Sequence, residues 1–435
     1  MKRLTLLCAA MLLGGFVQLF AQEEPEPVTA EKEPLTLELI ARFDIEPHIA
    51  LSNAGKNAAI AHNNFNGNEG MYSGSSVYTH FEGDIIPGLH FNLVNHWLAG
   101  SWPSIQGLYQ NTWTTDNNWC DFATLSYQFP FGLKFTLGKE CLAVATYEYD
   151  LYDYDCHYML CSGMWNNLNA YQWGAKASYC FHENWEAGFQ FSSSPFNTKP
   201  FSEGLFSYSL FGFFDKAEDD DTGFSFRVAL NMMQFERKFN ADPDSRNSFL
   251  WMPSLGLRYD IEDFHVGIDA AARFAGTSTY FYPAPGLLPG GVEYAPIREG
   301  NVILNLGYVI EDDLEVFGTF GWEPSRGVFS YLNYANYFED EEGELWPVSY
   351  PTNKGLSNGF CGGIGAYWYP IEDSQDLRVH VLFGGSNYGR NLLASGDSEL
   401  LPKDELKIPR SVSSLAFNFG VTYFFRPLDL FGKKK

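Results

Sequence analysis

After Ala21 the chain has no run of about 20 apolar residues, which excludes a membrane-spanning helix. It says nothing against a β-barrel, whose strands show only every second side chain to lipid. Positive charge is scarce: 28 Lys and Arg stand against 53 Asp and Glu, a formal net charge of −25. A chain this acidic is a poor partner for nucleic acid. HExxH is missing and the histidines form no close pair, so no zinc site is expected. There is no GxSxG, no Ser–His–Asp spacing suited to a hydrolase, and no helix after the Gly359–Gly365 run to make it a nucleotide loop. The expectation is a non-enzymatic chain without cofactor or metal.

What is present begins with MKRLTLLCAAMLLGGFVQLFAQ. Lys2 and Arg3 are positive, Leu4 to Phe20 apolar, and Ala21 small, and the acidic stretch QEEPEPVTAEKEP follows at once. Residues 1–21 therefore read as a secretory signal peptide, 22–34 as a short acidic, proline-rich periplasmic segment, and 427–435 as a basic C-terminal tail. Losing Lys2 and Arg3 takes the charge from −25 to −27. Six cysteines remain after the signal: Cys120, Cys141, Cys156, Cys161, Cys180 and Cys361. An even number in an exported chain permits disulfides, and Cys156 with Cys161 is the local candidate. Aromatic residues make up 17% of the chain, with 38 Phe and 25 Tyr, and Gly numbers 41. Barrels use such residues as interfacial rings and as close-packing wall positions.

The periodicity is that of strands. In Leu35–Glu46, residues Leu35, Leu37, Leu39, Ala41, Phe43 and Ile45 share one face, and Glu38, Arg42, Asp44 and Glu46 the other. In Leu415–Phe425, large apolar residues alternate with Ala416, Asn418, Gly420 and Thr422. Similar alternation marks strands near 74–82, 89–97, 119–129, 133–140, 169–181, 184–192, 205–214, 223–235, 248–260, 263–274, 300–310, 313–322, 360–370 and 376–386. With the terminal pair this makes about sixteen.

Short links such as PFG at Pro130–Gly132 and IE at Ile261–Glu262 alternate with long polar ones at 50–73, 98–118, 141–168, 193–204, 236–247, 275–299, 323–359 and 387–411. Short periplasmic turns and long extracellular loops are the habit of outer-membrane barrels. An even strand number puts both ends on the side of the short turns. Aromatic residues gather there: Phe81, Phe129, Tyr179, Trp185, Tyr259, Phe264, Tyr308, Trp368 and Phe425. The reading is an all-β transmembrane antiparallel barrel over 35–426. A soluble β-rich protein is the alternative, and it leaves the small, glycine-rich polar faces unexplained.

The third long link contains Thr146–Asn167, TYEYDLYDYDCHYMLCSGMWNN, which has neither helical nor strand period. With its flanks, GLKFTLGKECLAVATYEYDLYDYD and WNNLNAYQWGAKASY, it resembles the hairpin and third loop of outer-membrane porins of the phosphate-selective type. The likeness covers roughly residues 119–195. It implies a sixteen-stranded barrel, usually trimeric, with the third loop folded inward. Two departures matter. The arginine and lysine ladder of the anion-selective members is missing, so phosphate selectivity is not implied, and RPLDLFGKKK follows Phe425 where many porins end on Phe.

If large apolar residues face lipid, the other parity lines the lumen. That places Arg42, Lys134, Lys176, Arg227, Arg258, Arg273 and Arg378 inside, with Glu38, Asp44, Glu82, Glu186, Asp269 and Glu315. Arg42, Lys176 and Arg227 fall near mid-strand. The expected constriction sets Glu148, Asp150, Asp153 and Asp155 of the 146–167 loop against these basic residues across a narrow gap. Tyr147, Tyr149, Tyr152, Tyr154 and Trp165 either stack on sugars or pack the loop to the wall. EDDD at Glu218–Asp221 and EDEEGE at Glu339–Glu344 read as solvated acidic links; on the outer face, divalent ions would bridge the second to lipopolysaccharide.

The function expected is passive diffusion of small hydrophilic solutes or ions across the outer membrane of a Gram-negative-type cell. The rivals are an adhesin, structural or ligand-binding barrel with a plugged lumen, a barrel enzyme, and a hydrophobic-solute channel. The last would want an apolar lumen, whereas the inward faces read as polar.

Overall fold

The computed structural model describes residues 34–45, 48–50, 58–60, 75–99, 120–150, 160–166, 168, 170–182, 184–195, 197, 200–202, 204–216, 222–236, 248–274, 298–311, 313–326, 336–339, 345–348, 357–371, 374–389 and 411–427. Sixteen antiparallel strands form a closed wall. They are β1 Thr36–Ile45, β2 Ser76–Ile86, β3 Leu89–Ala99, β4 Cys120–Gln128, β5 Leu133–Cys141, β6 Tyr171–His182, β7 Trp185–Ser193 and β8 Phe206–Phe214. The second half comprises β9 Thr222–Glu236, β10 Ser248–Ile261, β11 Phe264–Phe274, β12 Arg298–Ile310, β13 Leu314–Arg326, β14 Ser357–Trp368, β15 Leu377–Gly389 and β16 Ser411–Phe425.

Each strand pairs with its neighbours in sequence. The ends meet because β1 pairs with β2 on one side and β16 on the other, Leu39 opposite Phe425 and Ile45 opposite Phe419. Closure leaves no unpaired sheet edge, the condition for a β-structure to sit in a medium that cannot hydrogen-bond. His48–Ala50 continues the path of β1 along β16.

Alternation decides which side chain goes where. Leu39, Phe43, Leu137, Ile364, Phe383 and Phe419 are exposed on the outside, while Arg42, Asp44, Asn418 and Thr422 are buried within. At the short-turn end Tyr259, Phe264, Tyr308, Trp368 and Phe425 are exposed on the outer face. Phe81 pairs edge-on with Phe91 and Trp185 leans on Phe214, ring centroids 4.7 Å apart in both cases. The two-residue turn Glu262–Asp263 sets Glu262 at φ 48°, and Glu311, directly after β12, stands at φ 51°.

Two features depart from the sequence reading. The wall extends further at its outer rim: β13 runs to Arg326 and pairs Glu323 with Gly359, Pro324 with Asn358 and Ser325 with Ser357. Alternation fades there because polar residues occupy both faces, yet the backbone ladder continues. Beyond the rim, Ala58–Ile60, Asn336–Glu339 and Leu345–Val348 form a separate three-stranded sheet that joins the links after β1 and β13. The inward faces are also not uniformly polar. Ile40, Tyr78 and Val94 form one buried interior cluster, and Phe211 with Ala229 part of another. A third, largest cluster lies under the segment that follows β5.

Candidate functional site

That segment is the first non-repeating feature inside the wall. An extended chain carries unpaired N–H and C=O groups, and burial requires partners for them. Inward side chains of successive strands supply these partners. Gln190 of β7 accepts from the Ala143 N–H at 2.8 Å, and Asn231 of β9 donates to the Ala143 carbonyl at 3.0 Å. Ser254 of β10 accepts from the Ala145 N–H at 2.9 Å. The Asp269 carboxylate of β11 takes the Tyr147 and Glu148 N–H groups at 3.0 and 3.3 Å, at the start of the single helical turn Tyr147–Asp150. Gly256 allows this passage, since a Cβ there would lie 2.2 Å from the Ala145 carbonyl oxygen.

The returning limb docks further round the wall. Ser162 caps the turn Gly163–Asn166, its hydroxyl accepting from the Trp165 N–H at 3.0 Å and from Asn301 of β12 at 3.1 Å. The Met164 N–H donates to Glu323 of β13 at 3.3 Å, and Arg273 of β11 donates to the Met164 carbonyl. Apolar contact completes the seat: Leu142, Val144, Met164 and Ala170 pack on Met233, Leu250, Met252 and Ala271. Leu160 reaches Leu382 of β15 and Ala416 of β16. The segment thus lies along the inner wall from β7 round to β16.

Glu148 is buried at the centre of this seat, and both of its carboxylate oxygens accept from Ser162, through the backbone N–H and the hydroxyl. Burial pushes its carboxyl up to about 8 against the Ser162 bonds, and the charges of Asp269 and Glu323 add to the rise. Tyr147 is pushed up to about 12, chiefly by burial.

Of the acids expected to oppose the wall bases, Glu148 turns into its own segment, toward Ser162. Asp153 and Asp155 lie outside the described residues, as do Cys156 and the side chain of Asp150. The wall cations take nearer acids. Arg42 binds Asp44 at 2.7 Å, and Asp44 also meets His380 at 3.0 Å and Asn418 at 3.2 Å. Lys176 binds Glu140 at 2.6 Å, and Arg227 grips Asp215 with two nitrogens at 3.0 and 2.9 Å. A buried charge needs a partner at contact distance, and residues on the same or the adjacent strand are already there.

Arg227 also touches the segment, its guanidinium 4.5 Å from the centre of the Tyr147 ring. Arg258 binds Asp260 at 2.9 Å, and Arg378 lies 4.6 Å over Tyr367 and 5.3 Å over Phe424. Lys134 occupies an inward register position opposite Gln128 and Ser178. Gln190, Asn231, Ser254, Asn301 and Glu323 anchor the segment without having stood out in the sequence. Their only signal was a polar residue at inward parity, which lumen lining produces equally well. Among the described residues no group of three or more His, Cys, Asp or Glu is arranged to hold a metal ion.

No protein-family model matches the chain, and no curated protein is significantly similar to it. Solved structures do resemble it. The outer membrane channel DcaP of Acinetobacter baumannii superposes with a TM-score of 0.53 at 11% identity, over 90% of this chain and 97% of that one. The anion-selective porin from Comamonas acidovorans gives 0.48 at 10% identity, over 90% and 100%. Pseudomonas aeruginosa OprD gives 0.41 at 9% identity, over 94% and 99%. These neighbours do not single out the phosphate-selective type. What the DcaP likeness establishes is the architecture, a closed sixteen-stranded barrel of the same build.

Proposed function

We propose that the protein is an outer-membrane channel for passive diffusion of small hydrophilic solutes or ions, with the segment after β5 narrowing its lumen. The observation that carries this reading is the seat of that segment: five anchoring side chains from β7, β9, β10, β12 and β13, with Asp269 of β11, hold it inside the wall. An apolar belt on the outside suits a lipid solvent, and a continuous belt of this kind would drive a water-soluble chain to aggregate. Export through the periplasm and the aromatic girdle belong to the same proposal. Assembly as a homotrimer rests on the resemblance of residues 119–195 and is read out by cross-linking in native membranes.

A second reading, a barrel whose lumen is closed and whose loops bind a partner, is favoured by the buried inner wall of β1, β2, β3, β15 and β16. Ile40, Tyr78, Val94, His380 and Leu382 are all buried there. Reconstituted liposomes separate the two. A diffusion channel lets small sugars swell them at rates that fall with sugar size; a closed barrel gives no swelling with any sugar. In planar bilayers, shortening 146–167 should raise single-channel conductance, and unchanged conductance would remove the segment from the permeation path. The reversal potential under a salt gradient then reads ion preference.

A further inference from the structure

Toward the short-turn end of β5, β6 and β7, two inward side chains of opposite charge stand unmatched. Lys134 and Glu186 are both half-buried, and neither makes a hydrogen bond or ion pair with another described residue. One carboxylate oxygen of Glu186 is buried with nothing bonded to it among the described residues. Their charged neighbours are matched: Lys176 binds Glu140, and Arg227 binds Asp215. An ionised group in a wall normally takes the counterion within reach, so two left over in one sector call for a reason.

Strand register supplies it. Lys134 sits opposite Ser178, Ser178 opposite Gly188, and Glu186 opposite Cys180. The two charges therefore lie two strands and two residues apart, about 12 Å between Cα atoms on ordinary strand spacings. What stands between them is small, since Ser178 and Cys180 are the inward residues of β6 at this level. Phe211 of β8 takes the side-chain space of Gly188, where a Cβ would come 2.7 Å from its ring. A recess is left with an ammonium on one flank and a carboxylate on the other. The Ser178 hydroxyl is a third open group: the residue is 3% exposed, and its oxygen has no partner among the described residues. Buried polar groups are as a rule bonded, so an unbonded one beside Lys134 marks the place of a further acceptor.

We infer that this recess binds a small zwitterion, a solute with a carboxylate and an ammonium a few bonds apart. The solute carboxylate accepts from the Lys134 ammonium and the Ser178 hydroxyl, and the solute ammonium donates to Glu186. A singly charged solute fares worse at either flank. An anion gains at Lys134 and is repelled by Glu186; a cation meets the reverse. Only a solute with both charges replaces water at both groups. The inference rests on the channel reading for access to the lumen, and on the wall residues for the site itself.

The test is isothermal titration of the detergent-folded full chain with γ-aminobutyrate, butyrate and butylammonium. Saturable heat is expected with γ-aminobutyrate and with neither singly charged probe. Lys134→Gln and Glu186→Gln should each weaken the zwitterion about ten- to a hundredfold, the worth of one hydrogen bond to a charged group. Exchanging the charges, with Lys134→Glu and Glu186→Lys in one chain, should restore binding, because a zwitterion can turn end for end. A merely structural role for either residue would not be rescued this way. Migration on unheated gels checks that each variant is folded. No saturable heat with γ-aminobutyrate, equal heat with butyrate, or unchanged affinity in both single variants would overturn the inference. So would an exchanged chain that binds as weakly as the single variants. Salt current through planar bilayers reads the channel proposal separately: a conducting pore that binds no zwitterion loses only the site, and a closed barrel that binds one loses only the pore.

Discussion

Glu148 and Ser162 close the inner segment on itself: one carboxylate oxygen takes the Ser162 N–H and the other takes its hydroxyl at 2.8 Å. The Ser162 oxygen meanwhile accepts from Trp165 and Asn301, so both of its lone pairs are used and its hydrogen must go to Glu148. The pair joins the two limbs of the loop and ties both to the wall.

Docking of the segment should therefore weaken as pH rises. The Glu148 carboxyl moves from an ordinary 4.5 to about 8 in the docked form. The docked state then holds more protons than the undocked one between these values, so docking is favoured most below about 4.5 and loses ground up to about 8, beyond which it is level. Limited proteolysis or single-channel noise across pH 5 to 9 should follow that trend. Glu148→Gln should flatten it. The amide has only one acceptor oxygen and no lone pair of Ser162 to donate to, so its docking should also weaken by ~1–3 kcal/mol. A pH response unchanged in this variant would assign the titration elsewhere.

Arg227 links the β8–β9 turn to the segment, through the Asp215 fork and the Tyr147 ring. Tyr147→Phe keeps a ring under the guanidinium and should leave the current trace close to that of the parent. Tyr147→Ala should add closures or substates, as a contact worth ~0.5–2 kcal/mol is lost. Arg227→Lys retains the charge but not the two-pronged grip, and should resemble Tyr147→Ala more than Tyr147→Phe. Single-channel recording of the three variants decides the order.

Much of this architecture was legible in the chain. Period-two alternation located every wall strand, because a side chain facing lipid and one facing inward obey opposite rules at adjacent positions. It also put Arg42 and Asp44, two residues apart, on one face, which is how they come to pair. Alternation failed where burial on both sides is allowed. Ile40 is as apolar as its outward neighbour Leu39, yet it is buried inside with Tyr78 and Val94. The segment could be recognised as irregular, but nothing in the spacing of Glu148, Asp150, Asp153 and Asp155 marks Glu148 as the buried acid. Its role is set by Ser162 and Asp269, which meet it only once the barrel has closed. Glu323 was missed for a related reason, since the apolar face of β13 ends at Trp322.

Two glycines provide a contrast in backbone tolerance. Gly362 on β14 has φ 131°, and a Cβ there would sit 2.0 Å from the Thr319 carbonyl oxygen. Gly267 on β11 is ordinary in both respects, with the Leu257 carbonyl oxygen 3.5 Å from its Cβ position. Gly362→Ala should sharply reduce the fraction of chain that runs as a compact folded band on unheated gels, while Gly267→Ala should leave it nearly unchanged. Equal behaviour of the two would mean that the local bend at Gly362 is not needed for the wall to form.

At the closing seam, Asp44 of β1 gathers three polar side chains. It is buried, and it meets Arg42 at 2.7 Å on its own strand, His380 at 3.0 Å on β15, and Asn418 at 3.2 Å on β16. The first and last strands are therefore joined by side chains as well as by the Asp44–Gly420 backbone register. Glycine at 420 is what lets them approach, since a Cβ there would lie 2.2 Å from the Asp44 Oδ1. Asp44→Ala removes the carboxylate that the buried Arg42 charge binds. Breaking a buried pair from one side costs ~3–5 kcal/mol, a large share of a typical folding free energy. The denaturation midpoint in detergent should fall sharply, and closure of the barrel should become the slow or failing step. Asp44→Asn, which keeps a carbonyl oxygen for Arg42, should fall between it and the parent. If Asp44→Ala instead unfolds at the parental midpoint, the seam is held by the backbone ladder alone.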